Sequence, residues 1–222
     1  MNKVRITYAI TVCNEFIEIQ RLLSFLIANK RIEDNIVVLV DLTKNEPTSE
    51  LLGYLHRLSS SDRITLIEDR FNGNFADWKN RLTRACYGQV KDPSDKNYIF
   101  QIDADEMIDE YVCRLLPQVL EHNQVDVIRV PRINTVSGLT AEHVAKWGWQ
   151  VNEKGYVNFP DYQWRIYRNT PKIKWKNPVH EVLDGYQSIS NLPATETQTE
   201  WCLVHDKTID RQERQNELYS KL

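Results

Sequence analysis

The sequence of 222 residues holds only seven glycines, and no two of them stand as G-x-G. That shortage excludes the dinucleotide fingerprint and the Walker A loop, which need glycine to bring backbone close to phosphate. Cysteine is scarce and scattered: Cys13, Cys86, Cys113 and Cys202, with no C-x-x-C pair. Four reduced, mostly buried thiols are expected, in place of a disulfide framework or a zinc knuckle. No apolar run approaches the ~20 residues needed to span a bilayer. Lys3 and Arg5 precede an apolar stretch, but Cys13-Asn14-Glu15 ends it without a small-residue cleavage site, so a first strand is expected there and not a signal peptide. An excess of one charge is missing too, since 28 Lys+Arg stand against 31 Asp+Glu. Phosphate-tracking proteins carry a strong basic excess, so no nucleic-acid partner is expected. These absences describe a cytoplasmic protein without a transmembrane segment, a peripheral contact with a membrane being left open.

What is present is an ordinary globular composition, 41% apolar and 27% charged. The first 130 residues alternate between two periods. Val4–Val12 is β-rich, and Phe16, Ile19, Leu22, Leu23, Leu26 and Ile27 then repeat at helical spacing. Ile36–Val40, Ile64–Ile67, Tyr98–Ile102 and Val125–Val130 read as further strands. Leu51–Leu58, a helix capped by Asn74, and Tyr111–Leu120 read as the helices between them. Such alternation predicts an α/β fold built on a mainly parallel sheet with helices on both faces. Beyond residue 135 five of the six tryptophans gather, with short strands expected at Tyr162–Arg168 and Trp201–His205 and a helix from about Ile209. No linker composition appears, so residues 1–222 are expected to form one domain.

Ligands of parallel sheets collect at the carboxyl ends of the strands. Ile102-Asp103-Ala104-Asp105-Glu106 puts three carboxylates at one such end. Like charges this close are costly unless a cation sits among them. Mg²⁺ or Mn²⁺ is one compensator, leaving coordination positions for substrate phosphates; a solvated acidic turn opening a helix is the other reading. Asp41 follows the second strand and either caps a turn or meets a ligand. Lys79, one turn into the helix after Asn72-Gly73-Asn74, offers positive charge to a diphosphate or is simply solvated. His180-Glu181, after Trp175-Lys176-Asn177-Pro178-Val179, supplies a base with its partner or a metal ligand. Arg165 lies in an alternating strand facing the pocket, and His205 closes the apolar run Trp201–Val204.

In order, Ala9-Ile10-Thr11-Val12-Cys13-Asn14-Glu15, Val38-Leu39-Val40-Asp41, Asn72 through Asn80, Gln101 through Glu106, Arg165-Ile166-Tyr167-Arg168 and Trp175 through Glu181 resemble glycosyltransferase family 2. The late blocks are similar to the small bacterial enzymes that build lipopolysaccharide core. The resemblance implies the GT-A fold: residues 1–134 would bind a nucleoside-diphosphate sugar, with UDP as the expected nucleotide, and the Trp-rich residues 135–222 would bind a glycan, lipid-linked or other hydroxyl acceptor. It implies non-processive, inverting hexosyl transfer that depends on Mn²⁺ or Mg²⁺. Thr11, Glu15 and Asp41 would line the base and ribose pocket. Lys79, Asp103 and Ala104 would lie along the diphosphate, and Asp103, Asp105 and His205 would hold the metal. Glu181 would be the catalytic base, with Asp161 its rival, because the acidic dyad of many relatives is absent. A sugar-1-phosphate nucleotidyltransferase and a non-catalytic carbohydrate-binding module are the alternatives. The former needs a glycine-rich basic loop that Cys13-Asn14-Glu15 does not provide, and the latter leaves the strand-end carboxylates unexplained.

Overall fold

Strand β1 (Val4–Val12) lines one face with Val4, Ile6, Tyr8, Ile10 and Val12, and buries Thr7 and Ala9 on the other, which fits a strand covered on both sides. The computed structural model describes residues 3–43, 47–92 and 94–219. After β1 come α1 (Phe16–Asn29), β2 (Asn35–Asp41), α2 (Ser49–Ser60), β3 (Thr65–Asp69), α3 (Phe75–Tyr87) and β4 (Lys96–Asp103). A two-residue strand β5 (Glu106–Met107) then precedes α4 (Glu110–His122), β6 (Val127–Ser137) and α5 (Ala141–Trp147). The remainder is β7 (Asp161–Arg168), β8 (Lys174–Lys176), β9 (Val182–Asp184), β10 (Ile189–Asn191), β11 (Leu203–Thr208) and α6 (Ile209–Tyr219).

The main sheet runs β3-β2-β1-β4-β7-β6-β11-β5, with β10 also paired to β6. Strands β1 to β4 are parallel, as the alternation predicts. Strand β7 enters antiparallel between β4 and β6, so the carboxyl end of β4 meets the amino end of β7. On one face Ile6, Tyr8, Ile10, Val38 and Phe100 pack with Leu22, Leu23 and Leu26 of α1 and Leu116 of α4. On the other, Ala9, Val37, Leu39 and Ile99 meet Trp78, Leu82 and Cys86 of α3, together with Trp175 and Leu183. The spacing of Trp78, Leu82 and Cys86 places all three on one helical stripe.

Three expectations need adjustment. Strand β6 continues past Val130 to Ser137, across the boundary expected between the two halves. The second half is not appended to the first sheet but threaded into it, with β7 wedged between β4 and β6. Helix α5 and the short strands β5, β8, β9 and β10 had no counterpart in the periodicity, being too short to show one. All four cysteines are thiols outside any disulfide, and Cys86, Cys113 and Cys202 are buried, as expected. Among the described residues, no helix is long and apolar enough to cross a membrane.

Candidate active site

Strand order reverses at β1, whose neighbours β2 and β4 lie on opposite sides, so the carboxyl ends of these strands border a crevice. Pairing of β1 with β4 sets Thr11 beside Asp103, and Thr11 Oγ1 donates to Asp103 Oδ1 at 3.3 Å. Pairing of β5 with β11 sets His205 opposite Glu106. That short antiparallel bridge carries His205 to the acidic turn, where its Nε2 lies 3.1 Å from Asp105 Oδ2.

Below the turn the charges form a continuous chain. Arg165 Nη2 donates to Asp103 Oδ2 at 2.7 Å and to Glu106 Oε1 at 2.6 Å. Arg132 reaches the same Glu106 oxygen through Nη1 at 3.1 Å and Asp161 Oδ2 through Nη2 at 2.7 Å. Asn134 Nδ2 donates to Asp161 Oδ2 at 2.9 Å, and its Oδ1 faces His205 Nδ1 at 2.9 Å. The chain therefore runs from Asp103 to Asp105 through Arg165, Glu106, Arg132, Asp161, Asn134 and His205. The side chains of Arg165 and Glu106 are 3% and 0% exposed, a burial that charged groups tolerate only when paired.

This chain also orients the imidazole. With the Asn134 amino group committed to Asp161, its carbonyl oxygen requires a proton on His205 Nδ1, which turns Nε2 toward Asp105. Burial opposes the charge on Asp105, yet the hydrogen bond and charge of His205, with Arg211, hold its carboxyl down at about 2. Burial opposes Asp103 likewise, but Arg165, then Lys79 and Arg132, keep it well below the usual carboxylate range. Lys207, on the same edge, is pushed down to about 8 by burial, against the pull of Asp105.

Glu181 reaches the edge from the opposite face of the sheet. The Asn80 side chain brackets the Trp175 backbone, accepting from its N–H and donating to its C=O, both at 2.9 Å. Phe75 N–H donates to Pro178 C=O at 3.0 Å, so α3 holds the 175–181 segment at two points. Asn177 and His180 adopt left-handed backbone, φ 73° and 54°, and such strain collects where surroundings over-determine a loop. Lys79 Nζ lies 3.1 Å from Glu181 Oε1, each side chain 12% exposed, and 4.6 Å from the Trp175 ring centre. Since Lys79 also acts on Asp103, it connects the candidate base to the acidic turn.

The remaining expected residues fall on this edge with different tasks. Asp41 Oδ1 accepts from the backbone N–H groups of Thr43 and Phe71 at 2.7 and 3.0 Å, a capping role, while Oδ2 lies beside Cys13 Sγ. Glu15 Oε2 accepts from Cys13 and Asn14 N–H, and Oε1 pairs with Arg211. The Ala104 side chain belongs to the core, and its N–H donates to Thr11 C=O at 3.2 Å. Asp161 is engaged by Arg132, Asn134 and Gln163, which hold its carboxyl low despite burial. Arg132, Asn134 and Arg211 were missed in the sequence. Arg132 and Asn134 share the alternation of β6 beyond Val130, a signal that was available; Arg211, on a polar helix, offered none.

The donors for a divalent cation are Asp105 Oδ2 and His205 Nε2, with Asp103 spoken for by Arg165 and Thr11. Among the described residues no group of three or more His, Cys, Asp and Glu is gathered to hold a metal. A carboxylate and an imidazole fit Mn²⁺ or Mg²⁺ of the kind that takes its other ligands from phosphate and water.

No protein-family model matches the sequence, and no curated protein matches it either. Solved structures do match. S. aureus TarS, residues 1–349, aligns at a TM-score of 0.57 and 12% identity over 92% of this chain. The fold is GT-A-like. The same TarS fragment in complex with UDP-GlcNAc aligns at 0.57 and 14% identity, covering 92% of this chain and 58% of that one. Its complex with UDP aligns at 0.57 and 12%, covering 91% and 60%. This chain thus spans about 60% of the TarS fragment's length. The GT-A-like sheet places the acidic turn at its strand-order reversal, as described above.

Proposed function

We propose that the chain is a glycosyltransferase that moves a sugar, with inversion, from a UDP-sugar to a hydroxyl acceptor. What carries the reading is the acidic turn at the strand-order reversal, where Asp105 meets His205 and Asp103 is held by Arg165 and by the charge of Lys79, the partner of Glu181. The likeness to a structure in complex with UDP-GlcNAc supports the choice of donor class. Thr11 and Asp41, at the carboxyl ends of β1 and β2, and Glu15, just past β1, would line the base and ribose.

In the reaction the acceptor oxygen attacks the anomeric carbon, the bond to the diphosphate oxygen breaks, and the acceptor proton passes to Glu181. A positioned base of this kind contributes about 10²–10⁴-fold. Lys79 fixes the Glu181 carboxylate and adds positive charge on the side of Asp103. Arg165 and Arg132 keep the acidic turn ionised and rigid. Asp105 and His205 would hold Mn²⁺ or Mg²⁺, which supplies positive charge for the departing diphosphate. Trp147 and Trp149, with ring centres 4.7 Å apart beside α5, offer flat partly exposed faces to an acceptor sugar.

Glu181→Gln is the test. Transfer should fall by about 10²–10⁴-fold, while calorimetry with UDP and Mn²⁺ should show unchanged donor-site binding. Retained transfer assigns the base elsewhere, and UDP binding that ignores Mn²⁺ removes the metal from the reading.

A further inference from the structure

Arg211, in the first turn of α6, shares its guanidinium among three carboxylates. Nη2 lies 3.2 Å from Glu15 Oε1 and 3.2 Å from Asp105 Oδ2, and Nη1 lies 3.3 Å from Glu18 Oε1. These acids come from the turn after β1, from α1 and from the turn after β4. Asp105 Oδ2 is also the oxygen that faces His205 Nε2. One carboxylate oxygen thus serves the arginine and stands at the candidate metal position.

An arginine that binds phosphate needs its charge uncompensated. Here three acids surround it, leaving little field for an incoming anion. The helix it belongs to is lightly attached. None of the described α6 residues is buried. Besides Arg211, its ties include Lys207 to Gln215 and Gln212 at 2.5 and 3.4 Å and a 3.8 Å approach of Glu213 to His143 of α5. An exposed pair of that sort contributes about 0–1 kcal/mol. The three-way contact of Arg211 therefore clasps α6 to the acids after β1 and β4, while Lys207 holds it to β11.

We propose that Arg211 is a resident counter-cation of the donor site, clasping α6 onto Glu15, Glu18 and Asp105 and yielding Asp105 when a divalent cation binds there. The proposal rests on the metal position given above. Two cations on one carboxylate oxygen repel, so occupancy by one weakens the other. Linkage makes this reciprocal: whatever Arg211 costs the metal in affinity, the metal costs the clasp. Glu15 and Glu18 retain the guanidinium afterwards, so α6 loosens on the Asp105 side and opens the crevice to the diphosphate.

Mn²⁺ alone is the probe, with free Mn²⁺ followed by its paramagnetic resonance signal. Arg211→Met should bind Mn²⁺ about tenfold more tightly than the wild type, inside the usual coupling range of roughly 5–150-fold. Arg211→Lys, which keeps the charge without the fork, should fall between the two. In the wild type, saturating Mn²⁺ should speed amide exchange across α6 by about two- to fivefold, the worth of one partly exposed ion pair. Equal or weaker binding by Arg211→Met, or unchanged α6 exchange in the wild type, overturns the clasp and leaves the metal site standing. Absence of Mn²⁺ binding in both proteins overturns the two together. Should Arg211→Met fail to fold, the exchange experiment on the wild type decides.

Discussion

Arg165→Met removes the cation that two carboxylates share beneath the acidic turn. Taking one partner from a buried ion pair costs about 3–5 kcal/mol, because the other charge stays behind unpaired. Two observations place the cost at the lower end. Glu106, fully enclosed, keeps Arg132 Nη1 at 3.1 Å and the Asp103 N–H at 3.0 Å. Asp103, whose side chain is 31% exposed, can recover some of its loss from water. A destabilisation of about 3 kcal/mol is expected, a large share of the roughly 5–15 kcal/mol that holds a domain folded. Tryptophan fluorescence in urea reads it directly: with m near 1–3 kcal/mol/M, the midpoint should drop by about 1–3 M at constant m. Adding Glu106→Gln removes the stranded charge as well. The double variant should therefore be more stable than the sum of the singles implies, by more than about 1 kcal/mol. A single variant within about 1 kcal/mol of the wild type, or strict additivity, would refute a shared and enclosed ion pair.

Two further outcomes follow from the same edge. Asp105 titrates at about 2 in the folded chain against 3.8 when free, so its stabilisation is present above the free value and lost as pH falls from about 4 toward 2. The stability gap between wild type and Asp105→Asn, near 2 kcal/mol at pH 6 for a shift of roughly this size, should shrink by pH 3; a gap independent of pH contradicts the assignment. Asn80→Ala deletes both hydrogen bonds to the Trp175 backbone and frees the segment that presents Glu181. Stability should fall by about 1–3 kcal/mol and turnover with it, while the affinity for UDP holds; equal losses in turnover and UDP affinity would show that the segment does not act through Glu181.

Where periodicity was long the sequence was readable. β1 was expected at Val4–Val12 and is found there, because Val4, Ile6, Tyr8, Ile10 and Val12 alternate along it in a β-rich run. The acidic turn was readable for the same reason, since an apolar run that ends in Asp103 must end at the sheet's edge. Asn74 caps α3 as expected, its side chain accepting from Asp77 N–H. The expected strand Val125–Val130 stopped one residue short of Pro131, which has no N–H to give to a sheet. In the sheet β10 pairs with β6 only through Arg129, and β11 pairs with it only from Arg132, so Pro131 falls between two partners and its missing donor goes unused. Stopping β6 there hid Arg132 and Asn134, which carry the charge chain from Glu106 to His205. The short strands β8 and β9, which frame Trp175, were equally hidden, since three residues cannot display a period.

The near-neutral composition conceals an excess of acid at this edge. Acids outnumber the bases that hold them: Asp103 and Glu106 share Arg165, Asp161 has Arg132, Glu181 has Lys79, and Glu15, Glu18 and Asp105 share Arg211. An edge with that excess of acid repels a bare diphosphate and favours a divalent cation. On the proposed reading, a bound cation would offset the charge of roughly −2 that a diphosphate diester brings. On the clasp proposed above, the charge of Arg211 would leave Asp105 as the cation's charge arrives. Prior entry of the metal would then admit the nucleotide, and UDP binding measured with and without Mn²⁺ tests that order: equal affinity in the two conditions refutes it.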